Sequence, residues 1–443
     1  IESRNNFQGT GLLEKFFVNV IRHYYWFLVA IAASLMFGVR DVSSALIVVT
    51  VFVAIRVHSS IQWKPFDGVV FVYLLYSLFS YFFVEYSYPL RLYYLGIRSQ
   101  IVPILFYFIA RSDKFKTDEF FENFRRPLFF AMICGVYFYF FQPYFYVSYK
   151  AEVIWNNFDS DVRDLSGKLL YEFTRMSSFW PHSYFIGYSS LFLFMYSAKK
   201  IVIDECYKKF DLACFALSFF CLFFAQQRVS IAFCVVFLVL LTLYASLKKL
   251  PSRNLLYLLW VGAFFFGAGI FFIVMNYLDV DFVEYVLNRT VNYEGSLVGD
   301  RINLFDRFFR EISFFGSGLG RFGHGAVAEG YLGIPDSDYV RVAAELGIVG
   351  LVILLAICLY TLFCGLKIFR YAFFEVSTLC FCLTAMIGAA VWELGTLQPF
   401  LYWFCIGHIQ SKFDRREELE TEYAAYFEKM RKENSDKEDE EEE

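Results

Sequence analysis

The sequence predicts an all-α, polytopic membrane protein with about twelve transmembrane helices and two long loops on one side of the membrane. Of its 443 residues, 58% are hydrophobic and 22% are aromatic, whereas only 19% are charged. A soluble domain usually has about 25% charged residues. The mean hydropathy is +0.47, and apolar stretches recur along almost the whole chain. These features exclude a soluble enzyme and a protein held by a single anchor.

A helix crosses the hydrocarbon with about 20 apolar residues. This length predicts spans at roughly 24–39, 43–57, 68–84, 94–110, 128–147, 183–198, 211–226, 229–246, 255–276, 340–364, 371–391 and 393–410. They make a membrane domain of residues 1–410, with long outer loops at 148–182 and 277–339. Residues 411–443 are predicted to be a charged cytoplasmic tail whose acidic distal part is disordered. The cysteines lie almost entirely in apolar spans and are interpreted as small buried hydrophobic residues.

The distribution of charge predicts which side each loop occupies. An even number of spans puts both termini on one side. If that side is the cytoplasm, most lysines and arginines of the connecting segments lie there, and the outer side keeps only Lys150 and Lys168 as lysines. The arginines that stay outside are Arg175, Arg228, Arg289, Arg301, Arg307, Arg310, Arg321 and Arg341. Arginine suits bidentate phosphate binding, although pairing with acidic residues or lipid headgroups explains single members equally well.

Both outer loops carry candidate functional residues. The first closes with YEFTRMSSFWPHSYFIG, residues 171–187, in which His182 is either an interfacial histidine or part of a site. In the second, the apolar residues of 300–312 fill one arc of a helical wheel. Arg301 falls inside that arc, whereas Arg307 and Arg310 lie on the polar side. Arg301 therefore needs a partner, which is either an acidic residue or a lipid-linked phosphate.

A glycine-rich stretch follows in the second loop. Residues 318–323 match the dinucleotide pattern GxGxxG, but no strand precedes them, so a dinucleotide site is rejected. Glycines at this density indicate tight bends or close approach to a ligand. His324, Asp336 and Asp338 lie in or after the stretch. The two acids either cap the next helix or act as a base beside an interfacial substrate.

Three further candidates lie at the outer ends of spans. Arg98 is near the outer end of the span at 94–110, and Tyr339 stands where the chain re-enters the membrane. The third candidate, Arg341, stands at the i, i+4 spacing of a helical ion pair with Glu345.

These residues resemble a known family. The run from Gly299 to Leu351 resembles the shared region of the O-antigen ligase/polymerase superfamily over about fifty residues. The matching residues are Gly299, Arg301, Gly318, Gly320, Phe322, Asp336, Tyr339, Ala344, Glu345, Leu346, Gly347, Ile348 and Gly350. The segment beginning at Arg175 and QQRVS around Arg228 resemble the family's earlier arginine-bearing loop and a further arginine at a span entrance.

The resemblance implies a glycosyltransferase that joins sugars carried on undecaprenyl pyrophosphate at the outer face of the bacterial inner membrane. Ligases of the family usually carry His where Asp336 stands, so a polymerase is favoured over a ligase. The implied roles are pyrophosphate binding by Arg175, Arg228 and Arg301; proton transfer by Asp336, Asp338 or His324; and substrate positioning by Arg98, His182, Tyr339 and Arg341. Direct displacement would invert the anomeric centre. Arginines would replace a metal, and no other cofactor is expected.

The expected partners are undecaprenyl-pyrophosphate-linked oligosaccharides and membrane lipid, with a chain-length regulator as a candidate and no nucleic acid. Two alternatives stay open. An O-antigen ligase would pass the glycan to lipid A-core, and a lipid-linked sugar transporter would only move it. A transporter predicts internal repeats and charges at mid-membrane, and neither stands out in the sequence.

Overall fold

The computed structural model describes residues 12–37, 43–84, 88–115, 118–156, 175–180, 182–204, 208–248, 312–323, 337–387 and 398–421, with short pieces at 250–262 and 306–333. All regular structure in these residues is helical. The helices are α1 (Leu12–Arg22), α2 (Tyr24–Met36), α3 (Ser43–Val57), α4 (Pro65–Phe79), α5 (Leu90–Arg111), α6 (Glu119–Phe141), α7 (Tyr144–Asn156), α8 (Ser183–Ala198), α9 (Lys209–Ala225), α10 (Arg228–Leu247), α11 (Asp338–Lys367), α12 (Phe373–Ala385) and α13 (Gln398–Asp414).

The helices confirm the all-α architecture and are compatible with a membrane protein. Among the described residues, five helices are long and apolar enough to cross a membrane, or six if the bent pair α1–α2 counts as one span. Every predicted span overlaps a described helix except 255–276, which lies mostly outside the described residues. The total of twelve spans stays a prediction.

Aromatic rings fill much of the interior. The rings of Phe120 and Phe404 stack with centroids 3.9 Å apart, and Trp403 stacks on Tyr73. Helices α5 and α13 run side by side because residue 407 is glycine: a Cβ there would lie 2.4 Å from the carbonyl oxygen of Tyr107. Small residues at a helix crossing let the backbones approach closely, which is the usual basis of packing between membrane helices.

Charged side chains meet at one end of the bundle, which we call the charged end. Arg111, at the end of α5, bonds Asp67 of α4 at 2.8 Å. Asp118, before α6, accepts bonds of 2.9 Å from Lys199 and Lys412. Burial alone would raise the pKa of Asp118, but the two ammonium groups outweigh it and hold this pKa well below its ordinary value. The contribution of this carboxylate to stability is therefore present at neutral pH and lost on acidification.

These ion pairs join segments that the sequence assigned to one side of the membrane. The segments around 56–67, 111–126, 199–211 and 408–414 come together in the structure. The opposite end of the bundle, which we call the loop end, carries the glycine-rich segment and the starts of α8, α10 and α11. Which end faces the cytoplasm stays a prediction.

Candidate functional site

The glycine-rich segment fits into a break in helix α11. Gly347 has φ 71° and ψ −176°, which is not helical, and the break frees backbone groups on both sides. The segment 313–318 satisfies them. The hydrogen bonds run from Ser317 N–H to Ala344 O (2.9 Å), Gly318 N–H to Glu345 O (2.9 Å), Ile348 N–H to Ser313 O (3.1 Å) and Val349 N–H to Phe314 O (3.3 Å). Non-helical backbone within a membrane protein is tolerated where the protein itself satisfies it.

Glu345 anchors this segment to two helices. Its buried carboxylate accepts the N–H of Phe322 at 2.9 Å through Oε1 and the side-chain amide of Gln100 at 2.5 Å through Oε2. Gln100 belongs to a π-helical turn of α5, Ile97–Ile101, which also contains Arg98. Turns of this kind in α-helices are frequent at functional sites. Glu345 therefore ties the segment, α5 and α11 into one unit.

Three glycines give the segment its bends, as the sequence predicted. Gly316, Gly318 and Gly320 all have positive φ, between 82° and 102°. Gly320 also packs on α5, where a Cβ would lie 2.2 Å from the carbonyl oxygen of Leu92. Tyr88 donates a hydrogen bond of 2.8 Å to the carbonyl of Leu319 beside it. The segment is therefore a fixed turn.

We expect Gly320→Ala to lower thermal stability and displace the segment. The left-handed backbone costs a residue with a side chain about 1–2 kcal/mol, and the contact with Leu92 adds to that cost. Thermal unfolding in detergent measures the effect. The matched control is Gly68→Ala in α4, where a Cβ meets nothing within 4 Å. Equal stability of the two variants would contradict the close packing of Gly320.

The start of α11 is a cluster of buried polar contacts. Ser337 caps the helix, and the N–H of Asp338 donates to the carbonyl of Met386 at 3.1 Å. The Asp338 carboxylate has no exposed surface and pairs with Arg341, three residues later. Tyr339 donates a 2.9 Å bond to the carbonyl of Leu383. The ion pair of Arg341 is thus with Asp338 at i, i−3, whereas the sequence suggested Glu345 at i, i+4.

Arg175 begins a tight turn, residues 175–180, that leads towards α8. The N–H of Met176 donates to the carbonyl of Phe224 at the end of α9, at 3.1 Å. Ser178 has φ 58°, and its hydroxyl donates to the carbonyl of Ala131 in α6. His182 stands just before α8 with its ring stacked on Tyr184, at a centroid distance of 5.5 Å. We call residues 175–180 the Arg175 turn.

Arg228 is the first residue of α10 and is exposed. Within the described part of the chain its guanidinium forms no hydrogen bond or ion pair. A cation at a helix N-terminus opposes the helix dipole, so this position favours a bound anion rather than a positive side chain. Gln227, beside it, donates to the hydroxyl of Tyr188 at 3.3 Å and places the start of α10 against α8.

Several of the predicted site residues therefore share the loop end. The bond between Met176 and Phe224 brings the Arg175 turn to the end of α9, a few residues before Arg228. The ring of Tyr188 lies 5.5 Å from that of Phe381 in α12, and the same end of α12 holds Asp338 and Tyr339. The predicted residues Arg301, His324 and Asp336 lie outside the described residues.

A second polar cluster lies at the charged end. One carboxylate oxygen each of Asp118 and Glu375 and a ring nitrogen of His408 lie within 4.8 Å of one another, which is the spacing of metal ligands. The ammonium of Lys412, however, already bonds both carboxylates, at 2.9 Å and 2.6 Å. The cluster is thus an internal ion pair network that supplies its own cation.

Comparison of the sequence with models of known protein families gives no match, and no curated protein matches it significantly. The resemblance to the O-antigen ligase/polymerase superfamily therefore rests on the motif residues themselves.

Proposed function

We propose that the chain is a metal-independent, inverting glycosyltransferase of the O-antigen polymerase type. It would join oligosaccharide repeat units carried on undecaprenyl pyrophosphate at the periplasmic face of the bacterial inner membrane. The observation that carries the proposal is the exposed guanidinium of Arg228, which stands unpaired among the described residues at a helix start that favours an anion. The Arg175 turn is bonded to the end of α9, the helix that precedes Arg228. It adds a second arginine to the same region.

The chemistry follows from the leaving group. The acceptor hydroxyl oxygen bonds the anomeric carbon as the bond to the pyrophosphate oxygen breaks, and negative charge grows on the pyrophosphate. Preorganised arginines stabilise such charge where it develops. Arg175, Arg228 and, by resemblance, Arg301 would do so here, and Arg98 and His182 would position the sugars.

The acceptor proton needs a base. Asp338 is enclosed and bonded to Arg341, so its suitability as a base is low, and its contacts favour a role in fixing the start of α11. We assign the base to Asp336, with His324 as the alternative. Tyr339 and Arg341 would then support the base by holding the helix start that follows it.

Purified protein in lipid nanodiscs, supplied with lipid-linked repeat units, tests the proposal. A polymerase makes a ladder of longer lipid-linked chains. A ligase makes a product only after lipid A-core is added. A transporter makes no longer chains in either case, and when it is reconstituted in sealed vesicles it moves the glycan across their membrane. Unextended repeat units under all conditions would refute the glycosyltransferase assignment.

We expect the activity to persist in excess chelator, because arginines would take the place of a metal at the pyrophosphate. The measurement is the length of the ladder with and without EDTA. A loss of products that Mg²⁺ or Mn²⁺ restores would overturn this part of the proposal.

A further inference from the structure

A buried lysine lies behind the Arg175 turn. Lys150, on α7, is 1% exposed. Its ammonium donates to the hydroxyl of Ser177 at 2.9 Å and to the carbonyl of Arg175 at 3.4 Å. Tyr146, one helical turn earlier, shares the Ser177 hydroxyl at 2.7 Å. Removing an ammonium group from water is costly unless hydrogen bonds or opposite charges compensate it. The bonds to Ser177 and Arg175 are part of that compensation, so Lys150 and the turn hold each other in place.

The backbone of the turn has an unfavourable conformation that hydrogen-bond donors from its surroundings must hold in place. Ser178 has a left-handed backbone, φ 58°, which a residue with a side chain rarely adopts and which persists only where surrounding contacts fix it. Contacts act on both sides of the turn. Lys150 and Tyr146 hold Ser177 from α7, while the carbonyl of Phe224 holds Met176 from α9. Lys150 also contacts the backbone of Arg175 directly.

We propose that Lys150 is a positioning residue that directs the Arg175 guanidinium towards the pyrophosphate of the lipid-linked substrate. The inference rests on the proposed function. Lys150 acts on Arg175 through the backbone of the turn. Its ammonium has three N–H donors, and two of them bond the turn that carries Arg175. A purely structural role would make Lys150 equally important whether or not Arg175 is present.

A double-mutant cycle separates the two roles. Lys150→Met, Arg175→Ala and the double variant are compared for chain elongation and for equilibrium binding of undecaprenyl pyrophosphate. A misplacement of about 1 Å can cost about 100-fold in rate, so we expect Lys150→Met to lower elongation about 10- to 100-fold and to weaken binding. In the Arg175→Ala background the same change should matter about twofold or less. Lys150→Arg, which keeps the charge and the donors, should restore part of the activity.

The outcomes are distinguishable. An equal loss in both backgrounds, or no loss in either, overturns the positioning role. If Lys150→Met does not fold, Tyr146→Phe removes the other bond to Ser177 and should show a smaller loss that likewise vanishes with Arg175→Ala. Lys367→Met, an exposed lysine at the end of α11, is the control for loss of a lysine as such. Absence of elongation by the unaltered protein would instead refute the proposed function, whereas the binding cycle would still test the coupling of Lys150 to Arg175.

Discussion

Arg228→Ala is expected to lower chain elongation by about 10²- to 10³-fold, which is the usual effect of removing one preorganised charge contact from a developing anion. The same substitution should leave thermal stability unchanged or slightly higher. Arg228 is exposed and makes no bond within the described residues, and a cation at a helix N-terminus is unfavourable by about 0.3–1 kcal/mol. A large loss of activity without loss of stability is the signature of a binding residue. Elongation rate and thermal unfolding, measured on one preparation, check both halves.

Two further variants sharpen this test. Arg228→Lys keeps the charge but not the planar fork, so it should recover little activity if the contact is bidentate. Arg310 is the matched control: it is also an exposed arginine, and its contact with Asp306 is a loose surface pair at 3.9 Å. Arg310→Ala should leave elongation near normal. Normal elongation by Arg228→Ala would refute the role of Arg228 at the pyrophosphate, although the elongation itself would support the proposed activity.

Hydropathy alone predicted most of the helices, because burial in a membrane depends on runs of apolar residues of sufficient length. The predicted span 183–198 coincides with α8, and 229–246 differs from α10 by one residue at each end. The predicted span 128–147 was less accurate. The helix there begins nine residues earlier, at Glu119, with a polar first turn that bonds at the charged end. Hydropathy does not detect such a turn, since its polar residues do not continue the apolar run.

The candidate site was less predictable, because its contacts join residues far apart in the chain. The break at Gly347 is an example. A single glycine in an apolar run has no local signature of a break, and the bonds that stabilise it come from residues 313–318. Similarly, helical spacing allowed Arg341 to pair with Glu345, but the glycine-rich segment and Gln100 bond that carboxylate. Charge counting singled out the arginines, and the side of the membrane on which they lie stays a prediction.

Glu345→Ala should be among the most destabilising single substitutions at the loop end. It removes the acceptor of two buried donors, the N–H of Phe322 and the side-chain amide of Gln100. A buried donor left without a partner costs about 1–3 kcal/mol, so the loss of both should lower the free energy of unfolding by about 3 kcal/mol or more. The glycine-rich segment should also become accessible to protease, because Phe322 would lose its anchor. Thermal unfolding and limited proteolysis measure these two effects.

Glu345→Gln is the matched variant that separates anchoring from charge. Its amide oxygen can still accept the N–H of Phe322. Its amide nitrogen can donate to Oε1 of Gln100 once the Gln100 amide turns over, since this buried oxygen has no hydrogen-bond partner among the described residues. We therefore expect Glu345→Gln to keep the segment protected from protease and to lose at most about 1 kcal/mol of stability, the worth of a typical hydrogen bond. If Glu345→Gln unfolds as readily as Glu345→Ala, the negative charge beside Arg341, rather than the two hydrogen bonds, is what stabilises the broken helix. If both variants are as stable as the unaltered protein, the backbone bonds across Gly347 hold the segment without Glu345.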